Sequence, residues 1–196
     1  FLSNISNSQV WSRSISFESG KSYLITAPSG TGKSTFLNVF YGAIRDYEGE
    51  VELYNSTWGQ MSSEQKEQIR LRHLSYVYQD LQLFEELSGI ENIKLTSDMD
   101  WVQVVNWAKV LHADAFWKQP CQELSQGQKQ RIAILRSLAR PFDFLLLDEP
   151  FSHLDEELCQ KALEVVVQEC RKRNAAMILC SLGSDYGYSY DQKIQL

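Results

Sequence analysis

A glycine-rich segment near the start of the chain has the residue types needed to hold phosphate groups. Residues 27–35 read Ala-Pro-Ser-Gly-Thr-Gly-Lys-Ser-Thr and match the pattern G-x-x-x-x-G-K-[ST] except at the first position, Ala27. Glycines let backbone N–H groups converge on phosphate oxygens at a helix N-terminus, whose dipole favours anions. The pattern predicts that Lys33 contacts the β- and γ-phosphates of a nucleotide and that the Ser34 hydroxyl binds Mg²⁺. The predicted phosphate-binding residues are Ser29, Gly30, Thr31, Gly32, Lys33, Ser34 and Thr35.

Two acidic residues follow an apolar run in the second half of the chain. Residues 144–149 read Phe-Leu-Leu-Leu-Asp-Glu, which predicts a buried strand with carboxylates at its end. The carboxyl ends of strands face the crevice in which α/β sheets bind ligands, so Asp148 is predicted to hold Mg²⁺ through water. Glu149 is predicted to be the base that orients or deprotonates an attacking water. The pair alone is a weak signal, but it becomes a strong one after a phosphate-binding loop.

A third motif, Leu-Ser-Gln-Gly-Gln at residues 124–128, precedes an amphipathic helix. Ser125 and Gln128 also fit a capping box, so a simple helix start is one interpretation. However, LSxGQ lying 92 residues after the phosphate-loop lysine (125 − 33) closely resembles the signature motif of the ATP-binding cassette (ABC) ATPases. The resemblance covers essentially the whole chain.

The resemblance implies functions for two further segments. Gln79, within Tyr-Val-Tyr-Gln-Asp at residues 76–80, matches the Q-loop glutamine, which in the family contacts Mg²⁺. Residues 152–155, Ser-His-Leu-Asp, match the D-loop, which in the family crosses a dimer interface and here ends at Asp155. ATP and Mg²⁺ are therefore the expected cofactors.

The resemblance also implies a head-to-tail dimer. In such a dimer the phosphate loop of one subunit and Ser125, Gly127 and Gln128 of the other enclose each ATP. The signature helix then offers a second N-terminal anion site, aimed at the γ-phosphate. The expected partner is a second ABC ATPase subunit, either another copy of this chain or a different one.

A membrane partner is expected as well. Residues 64–83 and the Glu-Asn-Ile at 91–93 look like the small ATPases of the lipoprotein-release, macrolide-efflux and cell-division class. Those ATPases act on integral membrane permeases, with the region just after Gln79 as the expected route of force. The expected location is cytoplasmic, peripheral on the inner face of the cell membrane through that permease.

Leu182 occupies a position where the family usually has a catalytic histidine. Counting back nine residues from Asp191, which starts the closing-strand segment, reaches Leu182 (191 − 9), and the chain's histidines are at 73, 112 and 153. We hypothesise that the subunit hydrolyses ATP slowly, since losing a preorganised contact to developing charge commonly costs on the order of 10²–10³ in rate. The alternative is a weakly hydrolysing, nucleotide-gated clamp or regulatory subunit.

The family's adenine-stacking aromatic is also missing from its usual place. Residues 6–9 read Ser-Asn-Ser-Gln, and Trp11 or Phe1 is a candidate replacement. Base–aromatic stacking is worth about 1–3 kcal/mol per base in nucleic-acid binders, so its loss would weaken ATP binding.

Hydrophobic patterning supplies the elements that must position these residues. Strands are predicted at 14–17, 22–27, 50–54, 74–78, 142–147 and 176–181, with helices at 33–43, at 125–138 and after Asp155. Ser88 opens a short helix with a capping box, and Trp101, Val104, Val105, Ala108 and Leu111 form one apolar stripe. The predicted fold is α/β, a P-loop NTPase core with a mostly parallel sheet, an N-terminal antiparallel β segment and a helical signature subdomain. We expect a single ABC ATPase domain over 1–196, with a core at 1–79 and 125–196 and a helical subdomain at 80–124.

Composition narrows the function classes. With 19 basic and 25 acidic residues the formal charge is −6, which argues against a nucleic-acid binder driven by bulk charge. No apolar run approaches the roughly 20 residues that span a bilayer. The four cysteines form no CxxC pair and are expected to be ordinary thiols. Chromosome-maintenance ATPases insert long coiled coils before the signature, and small-molecule kinases have no use for LSxGQ, so both are disfavoured.

Overall fold

The computed structural model describes residues 9–11, 13–97 and 99–196 of the 196-residue chain. Its strands are β1 (Ser22–Thr26), β2 (Glu52–Leu53), β3 (Ser56–Thr57), β4 (Leu74–Val77), β5 (Phe144–Asp148), β6 (Ala176–Ser181) and β7 (Gln192–Gln195). Five of them form a sheet of order β4-β5-β6-β1-β7 in which all neighbours are parallel. The other two, β2 and β3, form a separate antiparallel pair. The predicted α/β class is therefore confirmed.

Six α-helices accompany the strands in the described residues. They are α1 (Lys33–Phe40), α2 (Ser63–Arg72), α3 (Gly89–Lys94), α4 (Trp101–Val110), α5 (Gln126–Leu138) and α6 (Glu156–Arg173). Capping boxes begin three of these helices, with Ser62, Ser88 and Ser125 as the N-cap residues. The predicted helix starts at Ser88 and Ser125 are thus confirmed.

The central sheet is covered by apolar side chains on both faces. Along β5, Leu145 and Leu147 belong to one hydrophobic cluster and Leu146 to another, as the alternation of side chains along a strand requires. The first cluster joins the sheet to α4, α5 and α6, and the second joins it to α1. This two-sided burial explains why the sequence of β5 is apolar almost throughout.

The apolar stripe of α4 packs into the first cluster. Val104, Ala108 and Leu111 are fully buried, and Trp101 stacks on Trp117 with ring centroids 5.8 Å apart. Helices α3 and α4 both contact α5. The predicted stripe is therefore hydrophobic core.

Two predicted elements differ from the structure. Residues 14–17 do not form a strand; Phe17 instead packs edge-on against Tyr23 and Phe40, at 4.8 and 5.6 Å between ring centroids. Ile15 and Phe17 are partly buried on one side of the segment, which explains the alternation of apolar residues. No strand in the described part of the chain pairs with this segment. Helix α1 ends three residues before the predicted Ala43, because Gly42 turns with a φ of +74°.

Three further features agree with the sequence. The closing strand expected after Asp191 is β7, and the Asp191 carboxylate accepts hydrogen bonds from the Ser22 N–H and hydroxyl at 2.8 and 2.7 Å. Cysteines 121, 159, 170 and 180 are all free and buried. Within the described ranges, no helix has the length and hydrophobicity to cross a membrane.

Candidate nucleotide-binding site

Four loops that carry predicted functional residues meet at one edge of the sheet. Because β1, β4, β5 and β6 are parallel neighbours, their carboxyl ends lie along the same edge. The phosphate loop at 27–32 follows β1, Gln79 lies two residues after β4, Glu149 follows β5 and Leu182 follows β6. The topology therefore gathers residues that are far apart in the sequence.

The phosphate loop depends on two left-handed glycines. Gly30 has a φ of +76° and Gly32, the N-cap of α1, has a φ of +104°, a region that other residues adopt at a cost. A Cβ at Gly30 would meet no atom within 4 Å, so this glycine is needed for its backbone conformation and not for space. No side chain caps α1, which leaves its first N–H groups for an anionic ligand.

Ala27, the one departure from the loop pattern, is tolerated by the structure. Its φ is negative, so a methyl group causes no backbone strain, and its N–H donates to the Ser181 carbonyl at 3.4 Å. The residue is buried. The loop therefore keeps its form without the usual first glycine.

Lys33 lies inside the loop, close to the predicted base. Its Nζ donates to the carbonyls of Ala27 and Pro28 at 2.9 and 3.1 Å and lies 3.4 Å from Glu149 Oε1. The side chain is only 5% exposed. Of the other predicted loop residues, Thr31 donates its hydroxyl to the Pro28 carbonyl, and Ser29 and Thr35 are exposed.

The three predicted magnesium ligands lie beside one another. Ser34 Oγ donates to Gln79 Oε1 at 3.2 Å. Burial raises the pKa of Asp148, and a hydrogen bond from Ser34 opposes this rise in part. The Oδ1 atom of Asp148 is buried with no hydrogen-bond partner in the described part of the chain. An unsatisfied carboxylate oxygen next to hydroxyl and amide oxygens fits a hard divalent cation.

Glu149 is held in an unusual backbone conformation. Its φ is +49°, which for a residue with a Cβ costs on the order of 1–3 kcal/mol and is typical of functional positions. Its N–H donates to the Cys180 carbonyl at 3.0 Å, which anchors it to the adjacent strand β6. The side chain is mostly buried and faces Lys33.

Gln130 is a positioning residue that our sequence analysis missed. It lies on α5, is 2% exposed, and donates from Nε2 to the Glu149 carbonyl at 3.1 Å and to Ser152 Oγ at 3.3 Å. Its Oε1 accepts from the His153 N–H at 2.9 Å. The sequence does contain a sign of this role: Gln130 lies four residues before Ile134, so it is a polar residue on the buried face of the helix.

The signature residues lie at the N-terminus of the same helix, α5. Ser125 Oγ accepts from the Gln128 N–H at 3.3 Å, and Gln128 Oε1 accepts from the Ser125 N–H at 2.8 Å. A Cβ on Gly127 would approach the His153 carbonyl to 2.6 Å, so only glycine fits there. Within the described ranges, no hydrogen bond or ion pair joins these three residues to residues 27–35.

The two remaining positions are exposed. Asp155 is the N-cap of α6 and accepts from the Leu158 N–H at 2.9 Å. Leu182 follows β6 and is 59% exposed, so most of its apolar side chain is in contact with solvent. His153 pairs with the neighbouring Ser152 hydroxyl at 3.0 Å.

Of the two candidates for stacking on adenine, only Trp11 lies among the described residues. Trp11 is half-buried and packs edge-on against Phe36 of α1, with ring centroids 6.5 Å apart. Gln9 is tied to β7 by its backbone and side chain. Phe1 and residues 6–8 lie outside the described residues.

Comparison with known proteins identifies the family. The ABC transporter family matches residues 12–152, which is well over half of the chain. The chain belongs to the ABC transporter family. The resemblance found from its motifs is thereby confirmed.

Named relatives of this ABC protein include proteins of different transport systems. The lipoprotein-releasing system ATP-binding protein LolD of Legionella pneumophila (strain Lens) is 29% identical, over 82% of this chain and 74% of LolD. The thiamine import ATP-binding protein ThiQ of Aliivibrio fischeri is 31% identical, over 92% of this chain and 81% of ThiQ. The aliphatic sulfonates import ATP-binding protein SsuB of Bacillus cereus is 33% identical, over 82% of this chain and 62% of SsuB.

Solved structures confirm the fold. The dimeric bacterial ABC transporter cassette MJ0796 superimposes with a TM-score of 0.82 at 23% identity, over 92% of this chain and 84% of that one. Its dimeric post-hydrolysis state bound to ADP and Pi gives a TM-score of 0.83 at 24% identity, over 93% and 83%.

Asp148 should destabilise the ligand-free protein at neutral pH. Its raised pKa means that the native state binds a proton more readily than the unfolded state, so stability falls as the pH rises through that pKa. We expect Asp148→Asn to increase the unfolding free energy at pH 7, with the gain disappearing at acidic pH, where the carboxyl group is protonated in both the native and the unfolded state. Urea denaturation at several pH values measures this. The exposed Asp114→Asn is the control, and a less stable Asp148→Asn protein at pH 7 would contradict the prediction.

Proposed function

We propose that this chain is the ATP-binding and ATP-hydrolysing subunit of an ABC transporter and that it dimerises on ATP to drive a membrane permease. One observation carries the proposal: four predicted chemical groups meet at one edge of the sheet. Lys33 Nζ lies 3.4 Å from Glu149 Oε1, and Ser34 Oγ donates to Gln79 Oε1 at 3.2 Å. Family membership supports the same chemistry.

The phosphate loop binds the nucleotide through charge and backbone donors. The buried Lys33 ammonium and the uncapped N-terminus of α1 both favour the anionic phosphates of ATP. Ser34, Gln79 and Asp148 would hold Mg²⁺, since they supply a hydroxyl, an amide and a carboxylate oxygen at one place. When bound, Mg²⁺ neutralises charge that develops on the transferred phosphoryl group.

Glu149 is the proposed catalytic base. Two hydrogen bonds fix its backbone: its N–H donates to the Cys180 carbonyl, and its carbonyl accepts from Gln130. Because the backbone is fixed, less conformational entropy is lost when the carboxylate accepts a proton from water. Lys33 places a positive charge beside that carboxylate. In this assignment Glu149, Lys33 and Gln79 are the catalytic residues.

A second subunit would complete the site. The signature residues Ser125, Gly127 and Gln128 do not contact the phosphate loop of their own chain within the described residues, which supports their use in a dimer. We propose that these residues and Asp155 face the ATP held by a second ABC ATPase subunit, which is another copy of this chain or a different one. The N-terminus of α5 would supply the second helix dipole.

The permease is proposed to bind beside the helical region. We assign residues 80–124 to a helical subdomain and residues 1–79 and 125–196 to the core. Phe84 and Leu95, each 58% exposed, offer apolar surface close to Gln79 in sequence. Docking there would place the subunit on the cytoplasmic face of the membrane, and residues 64–83 favour a permease of the lipoprotein-release type. The net charge of −6 repels the phosphates of nucleic acid, so nucleic acid is not a proposed partner.

Glu149→Gln should abolish turnover while leaving ATP-driven dimerisation intact. The amide cannot take a proton from water, so we expect a loss of at least about 100-fold in ATP hydrolysis. Phosphate release measures turnover, and size-exclusion chromatography with ATP measures dimers. Glu164→Gln on the exposed side of α6 is the control. Unchanged turnover in Glu149→Gln would contradict the assignment, and tight ATP-dependent dimers without any wild-type turnover would instead support the clamp.

Leu182→His should accelerate hydrolysis. Leu182 lies at the end of β6, between the strands that carry Glu149 and the phosphate loop, and an imidazole there could contact developing charge. We expect a gain of about 100-fold in turnover. Leu182→Ala, which removes the apolar side chain without adding an imidazole, is the control. A wild-type rate already typical of the family, with no gain in Leu182→His, would refute the idea of slow hydrolysis.

Affinity purification from membranes should recover an integral membrane permease. Introducing charge by Phe84→Asp is expected to reduce the recovered permease by about tenfold, because apolar contact area is lost and a charge is buried at the interface. Val102→Asp, which alters an apolar residue of comparable exposure on α4, farther from Gln79 in sequence, is the control. Recovery of no membrane protein by the wild-type chain would contradict the permease assignment.

A further inference from the structure

The segment after Gln79 adopts a strained backbone. Leu81 and Gln82 have consecutive positive φ values of +62° and +49°, although neither is glycine. The Leu81 side chain is buried in the hydrophobic cluster, and its N–H donates to the Tyr78 carbonyl at 3.0 Å. Two left-handed residues in a row persist only where the surroundings hold them in place.

Arg136 binds both left-handed residues of this turn. Its Nη2 donates to the Leu81 carbonyl at 2.6 Å and its Nη1 to the Gln82 carbonyl at 2.5 Å. Arg136 forms no ion pair with any carboxylate of the described residues, so these carbonyls are the partners of its charge. The side chain is partly buried, and this burial lowers the pKa of the guanidinium. The two hydrogen bonds are of the stronger, charge-assisted kind.

The position of Arg136 links this turn to the signature motif. Arg136 lies on α5, the helix that begins just after Ser125, and at 1.5 Å per residue the two are about 16 Å apart along the helix. Gln79 lies two residues before Leu81 and contacts Ser34 of the phosphate loop. A displacement of α5 would therefore move the Leu81–Gln82 carbonyls and, through Asp80, the amide of Gln79.

We propose that Arg136 is a positioning residue that couples the orientation of the signature helix to the placement of Gln79 beside Ser34. This inference rests on the proposed ATPase function. Arg136 itself touches neither the phosphate loop nor Glu149; it acts through the turn that follows Gln79. When α5 is displaced, the guanidinium carries the turn with it and changes the position of the Gln79 amide oxygen.

A double-mutant cycle tests this coupling. Arg136→Gln is expected to lower the turnover number by about 10- to 100-fold with little change in the KM for ATP, since the loss is one of positioning. In a Gln79→Ala background the same substitution should change turnover by no more than about twofold, because the residue that it positions is already absent. Arg136→Lys, which keeps the charge and one donor group, should recover part of the rate.

Arg140→Gln is the matched control. Arg140 lies four residues after Arg136 in sequence. It also donates to backbone carbonyls, those of Arg70 and Leu71, but not to the turn after Gln79. Its effect on turnover should be the same with and without Gln79. Losses in Arg136→Gln and Gln79→Ala that multiply, or equal coupling of Arg140 to Gln79, would overturn the proposal.

Hydrogen exchange separates failure of this inference from failure of the ATPase function. The Leu81 and Gln82 amides are expected to exchange at least about tenfold faster in Arg136→Gln than in the wild type and to be unchanged in Arg140→Gln. Unchanged exchange in Arg136→Gln would overturn the inference. If the wild-type chain hydrolyses no ATP, the proposed function fails, and the same cycle is measured on Mg²⁺-dependent binding of a fluorescent ATP analogue. Independent effects of Arg136 and Gln79 on that binding would overturn the coupling.

Discussion

Two-sided burial of the central strands is the constraint on which the rest of this structure depends. Leu145, Leu146 and Leu147 of β5 are fully buried on alternate faces, so no polar side chain is tolerated until the strand ends. Asp148, the first charged residue of β5, therefore lies at the carboxyl end of the strand. The same parallel packing aligns the ends of β1, β4 and β6 beside it. The sheet thus provides both the stability of the core and the alignment of the site.

The second organising element is α5, which holds two distant loops. Near its start, Gln130 binds the backbone of Glu149 and His153; near its end, Arg136 binds the carbonyls of Leu81 and Gln82. Both side chains bind main-chain atoms, so they control where loops lie without taking part in chemistry. A helix is suited to this because its spacing is rigid.

The positions of the candidate-site residues were predictable because backbone requirements leave a local pattern in the sequence. Gly30, Gly32 and Lys33 form one short segment and Asp148 and Glu149 form another, and the structure places each segment at the end of a strand, as predicted. The positioning residues left no such pattern, since Gln130 and Arg136 act on segments distant in sequence. Helix α2 has no buried residue and hence gave no apolar stripe. Residues 14–17 alternate like a strand, but no strand among the described residues pairs with them.

The capping box at the start of α5 has a consequence for assembly. Ser125 and Gln128 each hold the backbone N–H of the other, so both side chains are confined to one rotamer before any second subunit arrives. Immobilising a flexible side chain at an interface ordinarily removes about 0.5–1.5 kcal/mol from the binding free energy. Here that entropy has already been lost during folding. In the proposed dimer, the surface that would face a partner's nucleotide is therefore preorganised by the helix itself.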